Sequence, residues 1–125
     1  MTTYIVTIPA PAGWISSNDR GHWAPRARLT RTWRAAARLQ AKTAKVPQLS
    51  RVRIVAEVQR PDRRRADAAN RYPTIKAAID GLVDAGVIAD DDDKHVDDLV
   101  IRRGATVARR LGQLTLHITE VDDDD

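Results

Sequence analysis

Six segments in the order β-α-β-α-β-β predict an α+β fold, a single domain with a mostly antiparallel mixed sheet packed with two helices. Three observations carry that prediction. Three short runs alternate apolar and polar residues; two longer runs have helix composition or helix punctuation; and 125 residues with 42% hydrophobic content suit one core.

The first run, TYIVTIP (3–9), sets Tyr4, Val6 and Ile8 against Ile5 and Thr7, the period of a strand. Residues 29–45 lack Gly and Pro, are rich in good helix formers, and place Leu29, Trp33, Ala36 and Ala37 on one face of a first helix. RVRIVAEVQ (51–59) turns Val52, Ile54, Ala56 and Val58 inward as a half-buried strand. PTIKAAIDGLVDAG (73–86) opens on Pro73 and closes on Gly86, with Ile75, Ala78, Ile79 and Leu82 on the buried side of a second helix. DDLVIRR (97–103) is expected to join the sheet, and QLTLHITE (113–120) does so through Leu114, Leu116 and Ile118.

Charge is segregated along this frame. The net charge is +4 with a pI near 10, although four of the 17 acids are the closing Asp122 to Asp125, a tail expected to be disordered. From Arg20 to Ala56 there are ten Lys or Arg and no acid. A domain this basic commonly meets a polyanion. Cysteine is absent, so disulfides and zinc–thiolate sites are excluded. The opening apolar run is too short for a signal core or a membrane span, so a soluble cytoplasmic protein without a membrane partner is expected.

Arg31, Arg34, Arg38, Lys42 and Lys45 recur at helical spacing and form one basic stripe on the first helix. Such a stripe can track backbone phosphates and release counterions. An ordinary solvated face is the alternative, and the missing acids weigh against it.

RPDRRRADAANRYPTIK (60–76) is the most informative stretch. Arg63, Arg64 and Arg65 follow a strand, Asp67 comes at once, then Asn70, and Lys76 lies in the opening of the second helix. Phosphodiester cleavage needs a hard divalent cation on carboxylates, with cations beside it to hold the strand. Asp67 among arginines supplies both, although a lone Asp there can equally pair with its neighbours. Six further aspartates crowd GVIADDDDKHVDDL (86–99). The first of them arrive past a helix of about 18 Å by its rise per residue, so their approach to Asp67 is not given by sequence.

These residues resemble the RusA-like Holliday-junction resolvases of bacteria and their phages. The shared features are the arginine run Arg63 to Arg65, Asp67, Asn70, the helix-opening Lys76, KAAIDGLVDAG, and the acids from Asp90 and Asp91; SSNDRGHW, with Asn18, Asp19, Arg20, His22 and Trp23, adds to them. The similarity runs from the first strand to the last, residues 1–121. It implies a homodimeric, magnesium- or manganese-dependent endonuclease that makes paired nicks in four-way or otherwise branched DNA inside a bacterial or phage-infected cell. It further implies Asp67 and Asp91 as catalytic metal ligands with Asp90 beside them, and Lys76 assisting catalysis. Arg31, Arg34, Arg38, Lys42, Arg63 to Arg65, Asn70 and Lys76 are the residues expected on DNA. A metal would explain why the aspartates crowd; Asp92 and Asp93 are expected to be solvated or to lie behind the ligands. His95 is expected in a structural or phosphate contact, because magnesium prefers oxygen. Gly81, which costs about 1 kcal/mol in mid-helix relative to Ala, is expected to mark close packing between two subunits.

One position departs from the family pattern. Where its motif has a second aspartate, this chain reads Asp67-Ala68-Ala69-Asn70, and a methyl group replaces a ligand. If the segment is extended, residues 67 and 69 point the same way, and the gap faces the metal. The chain is therefore expected to be a poor nuclease, either as a natural binding-only relative or as an inactivated enzyme. A non-catalytic junction-binding protein is the alternative function, and an unrelated domain whose acidic loop binds calcium or a basic partner is a third. An EF-hand is excluded, since the acidic loop has no glycine at its sixth place and no flanking helix pair.

Overall fold

Strand β1 (Thr3–Pro9), helix α1 (Trp23–Thr43), strand β2 (Val52–Gln59), a 3₁₀ turn (Ala68–Arg71), helix α2 (Tyr72–Asp84), and strands β3 (Val96–Arg103) and β4 (Gln113–Glu120) follow one another in the computed structural model. It describes residues 2–17, 23–63 and 68–122. Asn18, Asp19, Arg20, His22, Arg64, Arg65, Asp67 and the tail residues 123–125 lie outside the described residues. The expected α+β order and the two-helix packing are those found. Among the described residues no helix is long and apolar enough to cross a membrane.

The four strands form one sheet in the order β1-β4-β2-β3. β4 pairs antiparallel with both β1 and β2, whereas β2 and β3 are parallel. Parallel neighbours need a crossover, and α2 supplies it, so the sheet is mixed because the second helix must return the chain to the same end. Alternation sends Val6, Ile8, Val52, Ile54, Ala56, Val58, Leu114, Leu116 and Ile118 into the core beneath the helices, all buried. From α1 come Trp33, Ala37 and Ala41, and from α2 Ile75, Ala78, Ile79 and Leu82.

Helix α1 starts at Trp23 rather than Leu29, because Pro25 falls in its first turn, where no intrahelical N–H is needed. It ends at Thr43, so Lys45 leaves the helical stripe on which sequence spacing placed it. Lys45 has φ 57°. The Val46 N–H donates to the Ala41 carbonyl at 3.2 Å and the Lys45 N–H to the Lys42 carbonyl at 3.0 Å, a Schellman ending. Helix α2 ends the same way with Gly86 at φ 81°. There Val87 donates to Leu82 and Gly86 to Val83, both at 3.0 Å.

Gly81 is buried where α2 crosses α1 of the same chain. A Cβ there would stand 2.4 Å from the Arg34 carbonyl oxygen and 2.8 Å from the Ala37 Cβ. The close packing expected of Gly81 is thus internal to the subunit and is not an interface between copies.

Residues 13–17 are held to both helices and to the sheet end by hydrogen bonds. The Trp33 indole N–H donates to the Gly13 carbonyl at 3.0 Å, and Trp14 to that of Leu111 at 2.7 Å. The two indoles lie 4.7 Å apart at 52°. Thr74, fully buried, accepts from the Ile15 N–H at 2.8 Å and donates to the Ile15 carbonyl at 2.9 Å. The Ser17 N–H donates to the Asn70 carbonyl at 2.7 Å, so the chain leaves this segment beside the 3₁₀ turn.

Two substitutions test these constraints by denaturant unfolding. Gly81→Ala is expected to cost about 2–3 kcal/mol, because the obstructing atom is backbone and cannot swing away. Lys45→Gly is expected to gain about 0.5–1 kcal/mol by relieving the left-handed conformation.

Candidate functional site

Helix α2 places Lys76 one turn below Asp80, and the Lys76 ammonium donates to Asp80 Oδ1 at 2.7 Å. Past the helix end, Val87 and Ile88 are buried, and the Leu49 N–H holds the Val87 carbonyl at 2.7 Å. The chain then doubles back along the helix. Asp90 Oδ1 accepts the Asp91 N–H at 2.7 Å, which turns the Asp91 carboxylate toward α2, where it pairs with Lys76. Lys76 and Asp91, distant by sequence, are therefore brought together.

The remaining aspartates are distributed rather than pooled. Asp92 Oδ1 accepts from the N–H groups of Lys94 at 3.1 Å and His95 at 3.2 Å and contacts His95 Nδ1 at 2.5 Å. His95 thus has the structural contact expected of it. Asp97 pairs with both Arg51 and Arg53. Asp90, Asp91, Asp92 and Asp97 each have a partner within the chain. Among the described residues no group of three or more metal-ligating side chains converges. Asp90 and Asp91 supply hard oxygen donors suited to magnesium, yet they fall short of a closed set by themselves.

Tyr72, Lys76, Asp91, Asp93, Asp97 and Asp98 line a depression of about 260 Å³. Partial burial lowers the Lys76 pKa, but the hydrogen bonds to Asp80 and Asp91 outweigh it, and the ammonium stands above the ordinary lysine value. The Lys76 hydrogen bond holds Asp91 below the usual carboxylate range against the opposing effect of burial. Lys76 is accordingly a fixed cation and Asp91 a fixed anion near neutral pH.

Ala69 is exposed within the 3₁₀ turn. The extended segment assumed for residues 67 to 69 is not what residues 68–71 adopt, so strand alternation does not orient position 69. In a 3₁₀ turn, residues three apart eclipse, which puts position 69 over Tyr72 on the side that continues through Lys76. Asn70 is half-buried, and its carbonyl, at least, is committed to Ser17.

The basic stripe is less free than its spacing suggests. Arg34 donates to Asp84 of α2 through Nε at 2.5 Å and a terminal nitrogen at 2.8 Å. This hydrogen bonding raises the Arg34 pKa and holds that of Asp84 low, with Arg38 adding to the latter. Arg31, Arg38 and Lys42 remain exposed on α1. Sequence reasoning missed Asp80 and Asp84, which follow Lys76 at successive helical turns; that i, i+4 spacing was the available signal. It also missed Thr74, whose type and position carry no such signal.

Compared with known proteins, the chain matches no family model and no curated sequence.

The ion pairs make stability depend on pH in a direction fixed by their pKa shifts. Asp91 and Asp84 have lowered folded pKa values, so their contribution is present above the unfolded value of about 3.9 and is lost as pH falls through the folded values. Lys76 is raised, so its contribution is present below about 10.4 and is lost as pH rises through its folded value. Urea midpoints measured from neutral pH to acid should fall less steeply in Lys76→Met than in the parent, because the variant no longer depresses Asp91.

Proposed function

We propose that this chain is a structure-specific endodeoxyribonuclease scaffold that acts as a homodimer on four-way DNA junctions, and that Ala69 leaves it catalytically impaired. The observation that carries this reading is the Lys76–Asp91 pair at the opening of α2, beside a depression edged by further carboxylates. Its two partners come from the helix-opening lysine and the acidic loop that the resemblance to RusA-like resolvases singles out. The Ser17–Asn70 hydrogen bond holds Ser17, the second residue of SSNDRGHW, beside the same helix opening.

In this reading Asp67 and Asp91, with Asp90 adjacent, would hold magnesium or manganese, which supplies a Lewis acid and an activated water for phosphodiester hydrolysis. Lys76 stays protonated and stabilises charge on the phosphate; its raised pKa makes it an electrostatic group and not a general base. Asp80 keeps the ammonium directed, and Asp91 fixes it from the other side. Arg31, Arg38 and Lys42 are left to contact backbone phosphates, while Arg34 is partly neutralised by Asp84. Two symmetric cuts need two sites related by a two-fold axis, hence the dimer.

A second reading, a non-catalytic junction-binding protein, is favoured by the methyl group at position 69. The two are separated by restoring the acid. Ala69→Asp is expected to raise magnesium- or manganese-dependent paired nicking of a four-way junction by at least about a hundredfold, the scale of a single electrostatic contribution to catalysis. Adding Lys76→Ala or Asp91→Ala should remove that gain and leave junction binding. A folded, junction-binding Ala69→Asp protein that cuts no faster with either metal would leave the binding-only reading standing.

A further inference from the structure

A second basic region is built from residues that belong neither to α1 nor to the lining of the carboxylate depression. Between Leu99 and Thr119 there are four arginines and no acidic residue. Two of them, Arg109 and Arg110, belong to the connection from β3 to β4; Arg102 and Arg103 end β3. That connection is held rigidly where β2 leaves the sheet. The Gly104 N–H donates to the Val58 carbonyl and the Val107 N–H to that of Arg60, both at 3.0 Å. Gly104 lies so close that a Cβ would stand 2.8 Å from the Gln59 Cγ and 2.9 Å from Glu57 Oε2. At the other end Gly112, at φ 79°, presses on the same place, with the position of its missing Cβ only 2.3 Å from the Gln59 carbonyl oxygen.

This clamping leaves a depression of about 450 Å³ lined by Arg63, Arg103, Gly104, Ala105 and Thr106. Glu57, on β2 beside Gly104, contacts Arg102 and His117. Arg63 and Arg103 are exposed and have no carboxylate partner among the described residues. Next to Gln59, Arg60 buries its Nε without a hydrogen-bond partner among the described residues. Two guanidinium groups without a carboxylate partner among the described residues, together with a threonine, line one concavity and match an anion with several acceptor oxygens.

We propose that this depression is a phosphate-binding subsite in which Arg103 and Arg63 grip one backbone phosphate of bound nucleic acid. Its assignment to nucleic acid rests on the function proposed above, and the subsite extends that contact surface from α1 to the exit of β2. Arg103, which no spacing pattern in the sequence marks, becomes a DNA-binding residue.

The test is junction binding by fluorescence anisotropy over a series of salt concentrations, with the full chain, Arg103→Ala and Arg103→Lys. Arg103→Ala should weaken binding about tenfold. It should also flatten the slope of log affinity against log salt by about one unit. Arg103→Lys should keep most of the slope while losing part of the affinity. If the parent binds junctions and Arg103→Ala equals it in affinity and slope, the subsite is overturned while the proposed function stands. If the parent binds no junction, the proposed function fails, and inorganic phosphate then decides the subsite. Backbone amide resonances of Gly104, Ala105 and Thr106 that shift with phosphate in the parent but not in Arg103→Ala would support an anion site supplied by a free phosphate. Absence of such shifts would overturn it.

Discussion

The close approach of α2 to α1 at Gly81 is the constraint on which the other features depend. With a backbone carbonyl where a Cβ would sit, the two helices are fixed in depth and in rotation. That rotation directs Lys76, Asp80 and Asp84 along one side of α2, within reach of Arg34 on one helix and of Asp91 on the returning loop. Two sets of ion pairs result, Asp91–Lys76–Asp80 toward the acidic loop and Asp84–Arg34 toward the basic face of α1. Their members are partly exposed, so each pair contributes modestly to stability and chiefly sets where charge stands.

The same helix reconciles the two opposite charge blocks of the sequence. Being the crossover between parallel strands, α2 must begin near the exit of β2 and hand the chain back to the entry of β3. Both the arginine-bearing connection and the aspartate loop are therefore adjacent in sequence to one helix. The aspartate loop folds back because Val87 and Ile88 are buried, which draws the following residues along the helix instead of away from it. Asp90 and Asp92 spend a carboxylate oxygen on local backbone N–H groups, the chemistry of a turn. Only then is Asp91 left to face Lys76.

Much of this fold was legible in the sequence, since periodicity marked β1, β2 and β4 and both helices, β3 was expected as their partner without a period of its own, and the inward residues of β2, β4 and α2 are those that alternation and helical spacing selected. The bounds of α1 were less so. Pro25 reads as a break until it is seen to occupy a first turn, and Lys45 continues a helical spacing that its left-handed φ ends. At the site, Lys76 and Asp91 were legible as types and their pairing was not, because it depends on a loop reversing direction over a helix. The partners of the charges, Asp80, Asp84, Arg51 and Arg53, were hidden for a different reason: an ion pair is decided by three-dimensional proximity, whereas sequence shows only the surplus of one sign. Position 69 shows the cost of a wrong local geometry, because the strand period and the 3₁₀ period assign its neighbours differently.

The place of β4 has a consequence for how the chain reaches this state. It lies between β1 and β2, so the first strand of the chain touches the sheet only through the last. Thr3 and Thr119, whose hydroxyls meet at 2.9 Å, are 116 residues apart. During synthesis β1 emerges before β4 and has no strand neighbour until β4 has followed it. The β2-α2-β3 unit, by contrast, can assemble from contiguous sequence. Closure of the sheet is thus a late, long-range event, and a ribosome stalled before β4 would present β1 as an unpaired strand carrying the exposed Ile5.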